Sequence, residues 1–405
     1  MHFAVQKDVL LKLLKDVSGI LPVKATQTIL TSILFEVFDN KVFIKATDME
    51  MYIETNAPVI EYENGNVAIP GKKLIELISK LPSDLITFKT NSENTEVAIT
   101  CKKSKFSIIA LNPSQFPQKK FNSEKQGFFV PLNTFVKGIN QTSFAITGSD
   151  MTSVLSGLYI SIKDNVLEFA GTDASRITYK KNNLLVSVEN NKIKQEDNDA
   201  NVMVLEKIPS LEVILPIKAC MEVLRLFAYK LLNKDLSKAG SENLDGLEEI
   251  KLTQDNEELT LQTKDVSFST KLIAGRYPAF KSVFPAKSKY FCEVNKDELL
   301  KAVERVAVMS DETTSFISMY LNNDTMNLLA RTKDLGKANE EVTIRYEGEK
   351  YDLALKTPFL VDVLKRLDCE KIMIEINSER EPLIIKPTND EEYSYLLMPV
   401  RLVEQ

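Results

Sequence analysis

The chain runs to 405 residues, 44% hydrophobic and 27% charged, with 51 Lys and Arg against 57 Asp and Glu for a formal net charge of −6. That balance excludes a chain disordered throughout and a collagen-like one. At roughly 100–200 residues per domain, the length calls for two to four domains, each with its own core.

Cys101, Cys220, Cys292 and Cys369 are too scattered for a CxxC site and too few for a disulfide framework. The opening residues Met1 to Asp8 bring charge in early and lack a signal peptide's apolar stretch. No later run is long enough to span a bilayer, so the expected location is the cytoplasm, with no membrane partner.

Taken in chain order, the predicted elements repeat. A strand at Phe3 to Val5 precedes a helix over Lys7 to Val17, and a hairpin follows, Leu34 to Val37 and Val42 to Lys45 across Asp39-Asn40. A strand at Ala68 to Pro70 then leads into a helix whose Leu74, Leu77, Ile78 and Leu81 fall at i, i+3, i+4, i+7. Phe106 to Ile108 reads as a late strand. The second copy has a strand at Phe128 to Val130, a helix over Leu132 to Ile139, and Ile214 to Pro216 before a helix carrying Cys220, Val223, Leu224 and Phe227. The third has Phe291 to Val294, a helix over Lys296 to Val306, Ala354 to Lys356 before Leu360, Val363, Leu364 and Leu367, and a last strand over Tyr393 to Leu402.

Asn133 and Asn295 suit helix starts, and one polar slot of the second helix holds an acid each time: Glu76, Glu222, Asp362. Repetition of this kind predicts an α+β chain of three like units, a helix pair packed on antiparallel sheet, divided at 1–123, 124–285 and 286–405. The middle unit is lengthened by polar insertions near 189–201 and 233–248.

Catalytic chemistry finds little support. The only histidine is His2, which leaves nothing for a His-based triad or metal site. Gly65 to Lys73 resembles a phosphate-binding loop, but five residues rather than four separate its glycines, and Lys73 stands where a hydroxyl should hold magnesium. A nucleotide hydrolase is therefore the weaker alternative. The paired carboxylates Asp48 with Glu50, Asp311 with Glu312 and Glu391 with Glu392 read as solvated surface or caps. No enzyme and no cofactor is expected.

The helices are rich in cations instead: Lys12, Lys15, Lys72, Lys73, Lys80, Lys137, Lys218, Arg225, Lys230, Lys301, Arg305, Lys365 and Arg366. Gathered on one side, they would hold the phosphate backbone of double-stranded DNA without reading sequence, a contact that permits sliding.

Four segments carry a resemblance: Ala46-Thr47-Asp48-Met49-Glu50-Met51, Gly171-Thr172-Asp173-Ala174-Ser175-Arg176-Ile177, Gly275-Arg276-Tyr277-Pro278, and the terminal Tyr395-Leu396-Leu397-Met398-Pro399-Val400-Arg401-Leu402. In this order, nearly end to end, the chain resembles the bacterial DNA polymerase III beta subunit family, the replicative sliding clamps.

The resemblance implies three clamp domains per chain and a head-to-tail homodimer closed into a ring of six domains around duplex DNA. It implies loading by a clamp loader, with replicative polymerase and repair proteins tethered through a linear peptide motif. The matching peptide-groove positions are Leu155, Thr172, Arg176, Ile177, Pro278, Val283, Leu383, Met398, Pro399, Val400, Arg401 and Leu402. Lys24, Lys72, Lys73, Lys12, Lys80, Lys137, Lys218 and Arg225 would face DNA, while Phe106 and Ile108 would meet Val308 and Met309 of the partner. Ser175, Ser282 and Thr314 depart from the family's pattern around the groove, and Ser153 and Val154 stand where some members place aromatic DNA contacts. A clamp relative repurposed as a monomeric scaffold is the remaining alternative.

Overall fold

In the computed structural model of the chain, residues 1–119, 121, 127–147, 153–183, 187–188, 210–227, 248–255, 257–310, 315–332, 336–378 and 381–400 are described. The middle insertion at 189–201 and all of 233–248 except its last residue lie outside them.

Six α-helices stand among the described residues: α1 Lys7–Ser18, α2 Gly71–Lys80, α3 Leu132–Thr142, α4 Ile217–Phe227, α5 Lys296–Ala307 and α6 Thr357–Arg366. Each starts at the residue after a strand ends, at Gln6, Pro70, Pro131, Pro216, Asn295 and Lys356 in turn. Each helix is thus oriented by the strand that feeds it. The stripe predicted for α2 is buried at Leu74, Ile78 and Leu81 and half-buried at Leu77, and α1 likewise buries Leu10, Leu13, Leu14 and Val17. Asn295 caps α5, accepting from the Asp297 and Glu298 amides at 3.0 and 3.1 Å. Asn133 does not cap: it is the second residue of α3, because the preceding strand Phe128–Pro131 runs straight into the helix.

The expected hairpin across Asp39-Asn40 is a two-residue turn, with Phe38 paired to Lys41 and φ of 49° and 59° at its centre. The same turn recurs at Asp164-Asn165, with φ of 50° and 63° and Lys163 paired to Val166. Asn322 pairs to Thr325 in the third copy, with Asn323 at φ 52°. Asn and Asp tolerate the left-handed region, which gives the twist a tight hairpin needs.

The chain packs into two compact units. The first comprises Met1–Val136, Val186–Val204 and Met221–Leu272. It holds a five-stranded and a nine-stranded sheet, and the nine-stranded sheet is joined by Met51–Pro58 of the first copy pairing with Val266–Lys271 of the second. Phe3, Phe35 and Phe88 stack at the centre of the first copy, with Phe3 and Phe88 centroids 4.8 Å apart.

The second unit comprises Lys137–Leu185, Leu205–Cys220 and Ile273–Gln405, built on a twelve-stranded sheet in which Arg176–Asn183 pairs with Tyr393–Leu397. The predicted last strand thus ends at Leu397, five residues early. Beyond it the Met398 amide donates to the Ser175 carbonyl (3.1 Å) and the Val400 amide to that of Ala354 (2.7 Å), so the chain leaves the ladder. Among the described residues, no helix is long and apolar enough to cross a membrane.

Candidate peptide groove and nucleic-acid face

The Thr-Asp motif is a turn before it is anything else. The Thr172 hydroxyl donates to the Arg176 carbonyl (2.6 Å) and accepts from the Ala174 amide (3.0 Å), while Asp173 Oδ1 accepts from the Ser175 and Arg176 amides. Ala174 sits at φ 71°. The first copy builds the same turn: Thr47 donates to the Met51 carbonyl, Asp48 Oδ1 takes the Glu50 and Met51 amides, and Met49 sits at φ 77°. Side chains here replace backbone partners, the mechanism of Asx- and ST-turns.

Arg176 is consumed by its surroundings. Its Nε donates to Asp173 Oδ2 at 2.9 Å, Nη1 to Asp362 Oδ2 at 2.8 Å and Nη2 to the Phe144 carbonyl at 3.1 Å, with the guanidinium 4.0 Å from the Phe359 ring centroid. Thr172 and Arg176, matched to the groove by the resemblance, therefore spend their polar groups on the fold. Leu383 is likewise interior, 4% exposed in the core of the third copy.

Of the rest of the predicted set, Ile177 belongs to a cluster on one sheet face. Strand alternation puts Ile177 beside Leu396 and Tyr179 beside Ser394. Ile177 and Leu396 pack with Tyr277 and Phe280 under the partly buried Val154, Tyr159 and Phe284. Leu155 is half-buried, Pro278, Val283 and Met398 are exposed, and Pro399 and Val400 are intermediate. Arg401, Leu402 and Thr314 lie outside the described residues. Along the same face runs a cavity of about 470 Å³, lined by Tyr179, Lys281, Phe284, Phe291, Ile384 and Lys386 among others. Sequence reasoning missed it, although period-two alternation from Ile177 already assigns Tyr179 to this face.

Of the predicted DNA-facing cations, Lys12, Lys24, Lys72, Lys73, Lys80, Lys137 and Lys218 are exposed. Lys73 and Lys80 both bridge to Glu76, at 3.3 and 3.1 Å. Arg225 is differently placed. It donates to Glu222, to the Lys15 carbonyl (2.6 Å) and to the Asp16 carbonyl, closing the C-terminal end of α1.

Beside this contact, burial pushes the Asp16 carboxyl up to about 6, against the pull of Lys12 and Arg225 and with a push from Glu222. A carboxyl whose pKa is raised on folding binds its proton more tightly in the folded state. Stability is therefore lost as pH rises from the unfolded value of 3.8 through about 6. Asp16→Asn should accordingly stabilise by about 1–3 kcal/mol near pH 8 and give no gain near pH 4 in urea melts; equal gains at both pH values would refute the cause given.

No metal-binding cluster occurs among the described residues. The Gly65–Lys73 stretch is a strand, Gly65–Pro70, running directly into α2, so it has no loop to cradle phosphate. Cys101, Cys220 and Cys292 are buried, and burial pushes the Cys292 thiol up to about 12, leaving it unreactive.

Three strand-fed helix pairs on antiparallel sheets, with sheets continuing from copy to copy, define a clamp-type repeat protein. The family models agree along almost the whole chain: DNA polymerase III beta subunit N-terminal domain over 1–120, central domain over 129–279 and C-terminal domain over 281–401. The chain is 26% identical over 411 residues to the beta sliding clamps of Staphylococcus epidermidis and Staphylococcus aureus, covering 99% of each sequence. Its fold matches the Bacillus subtilis DNA polymerase sliding clamp with a TM-score of 0.85 at 22% identity, over 100% of both chains. A Pseudomonas aeruginosa sliding clamp gives 0.86 at 22% identity, over 99% of this chain and 100% of that one. The chain belongs to the DNA polymerase III beta subunit family, the sliding clamps, which are non-catalytic processivity factors of DNA replication.

Proposed function

We propose that two copies join head to tail into a closed ring of six domains, divided in each chain at 1–123, 124–285 and 286–405, which encircles duplex DNA and tethers the replicative polymerase. The observation that carries this reading is a pair of open strand edges in different copies of the repeat. Ser104–Ile109 is the last strand of the five-stranded sheet, with Phe106 and Ile109 exposed. In the third copy, Gly336–Tyr346 pairs on one side with Thr325–Thr332 along its first eight residues, while its other side is joined only at Ile344 to Tyr346. Unpaired edges recruit a further strand unless something covers them. Lys105 on the first edge and Lys103 in the turn before it are matched in charge by Glu340 and Glu341 on the second, of which Glu340 also bonds Arg305 of its own chain. Two such contacts related by a twofold axis close the assembly. Phe106 and Ile108 then lie against Val308 and Met309 of the second copy, of which Val308 is 74% exposed in the chain alone.

Enclosed DNA is held by Lys12, Lys24, Lys72, Lys73, Lys80, Lys137 and Lys218 through its phosphates, without base readout. Polymerase, repair proteins and clamp loader dock by a short linear peptide whose apolar anchors enter between Leu155, Pro278, Val283 and Met398, over the Ile177 and Leu396 floor, with Pro399, Val400, Arg401 and Leu402 completing the wall. Tethering raises the polymerase's effective concentration at the primer end.

The test is retention of loaded protein on nicked circular DNA before and after linearisation. Enclosure predicts that cutting the circle shortens residence by about tenfold or more, because the ring slides off at the ends, while equal retention on both forms defeats it.

A further inference from the structure

The three copies are not used alike. In two of them, the second helix of one copy meets the end of the first helix of the copy before it. The helices can be placed in register because each starts directly after its strand. Glu76, Glu222 and Asp362 then share one slot, Ser79, Arg225 and Lys365 the third position beyond it, and Lys80, Leu226 and Arg366 the next. On the first helices, Lys15, Asn140 and Glu304 share a slot, as do Asp16, Gln141 and Arg305, and Gly19, Phe144 and Val308.

Between the first and second copies, Glu222 and Arg225 of α4 hold the Lys15 and Asp16 carbonyls of α1, and a Cβ on Gly19 would collide with Arg225 Nε and both Glu222 carboxylate oxygens. Between the second and third, Arg366 of α6 donates to Asn140 of α3 at 2.8 Å, and Asp362 takes Arg176, which in turn donates to the Phe144 carbonyl. One second helix and one first-helix end remain over: α2, and the end of α5.

Their side chains complement each other in the same register. In the slots where Arg366 meets Asn140, α2 offers Lys80 and α5 offers Glu304. Where Glu222 lies beside Asp16, α2 offers Glu76 and α5 offers Arg305. Size is exchanged as well: Arg225 needs a glycine opposite, whereas α2 has the small Ser79 and α5 the larger Val308. The side chains involved are accessible. Glu76 is held only by Lys73 and Lys80 of its own helix, and its carboxyl is pulled below the usual range by Lys80 first and then Lys73. Arg305 bonds Glu340 and stays 61% exposed; Glu304 bonds Lys365 and stays 43% exposed.

We infer that α2 of one chain docks on the C-terminal end of α5 of a second copy, with Glu76 paired to Arg305 and Lys80 paired to Glu304 across the contact. This specifies the side chains of the ring closure proposed above and rests on that reading. The joint between subunits is then built like the joints within the chain, but with charges in place of the backbone carbonyls that Arg225 holds. Two surfaces of opposite pattern, unlike a self-complementary patch, give a head-to-tail contact.

Sedimentation equilibrium on the full chain and its variants tests it. Glu76→Arg and Arg305→Glu should each raise the dimer dissociation constant about tenfold or more, and the double variant Glu76→Arg/Arg305→Glu should return to within about threefold of wild type. Lys80→Glu and Glu304→Lys should behave in the same way. A dimeric wild type whose single variants dimerise normally, or whose double variants are no better than the singles, overturns the pairing and leaves the ring standing. A wild type that is monomeric at all concentrations overturns the ring and the pairing with it.

Discussion

Arg176→Ala should cost about 3–5 kcal/mol of unfolding free energy, because it breaks a buried, multiply bonded charge from one side only. The Arg176 side chain is 8% exposed and that of Asp173, one of its two acids, 13%. Removing the guanidinium leaves that carboxylate buried with only the Ser175 and Arg176 amides at Oδ1. Asp362, 46% exposed, can return to water and contributes less. The variant also strips the stacked partner from Phe359 and leaves the Phe144 carbonyl without its donor. Arg176→Lys keeps the charge but cannot serve three acceptors in a plane, so it should recover less than about half of the loss. Urea unfolding curves of the three proteins decide the matter. A loss below about 1 kcal/mol for the alanine variant would mean that Arg176 is a surface group free for ligand, and the account of the turn would fall.

The repeat was legible because burial enforces periodicity: Leu74 and Ile78 had to be apolar for α2 to pack, as did Leu10, Leu14 and Val17 for α1. The hairpin across Asp39-Asn40 was legible because Asp and Asn are among the few residues that suit a two-residue turn at positive φ. The acid slot was legible as a pattern and mute as to use, since Glu76 bridges two lysines of its own helix, Glu222 holds Arg225, and Asp362 holds Arg176. Of these partners only Arg176 is distant, 186 residues from Asp362, and it leaves no local trace. Thr172, Arg176 and Leu383 matched the groove pattern by motif order, while their interior placement follows from packing that motif order does not encode. The end of the last strand at Leu397 depends on backbone bonds to Ser175 and Ala354, which no side-chain pattern announces.

The joint between the first two copies gives the other large effect. Gly19 has φ −66° and ψ −25°, values that suit any residue, so its lack of a side chain answers to close approach and not to backbone strain. The neighbours that forbid a side chain are Arg225 and the Glu222 carboxylate bonded to it, with Arg225 also fixed by two carbonyls of α1. Gly19→Val should displace that guanidinium and cost about 2–3 kcal/mol. Arg225→Ser should cost about 3 kcal/mol on its own, since Glu222 is 6% exposed and loses its cation. The two losses should not add. With serine in place of arginine, the pairing that α2 and α5 carry as Ser79 and Val308, the Glu222 carboxylate is no longer pinned by a guanidinium and can swing clear of position 19, so Gly19→Val should cost less than about 1 kcal/mol in that background. A double-mutant cycle by urea melts measures the coupling directly. If valine costs as much beside serine as beside arginine, size exchange is not what distinguishes the joints, and the transposition of residues from one joint to the next loses its steric support.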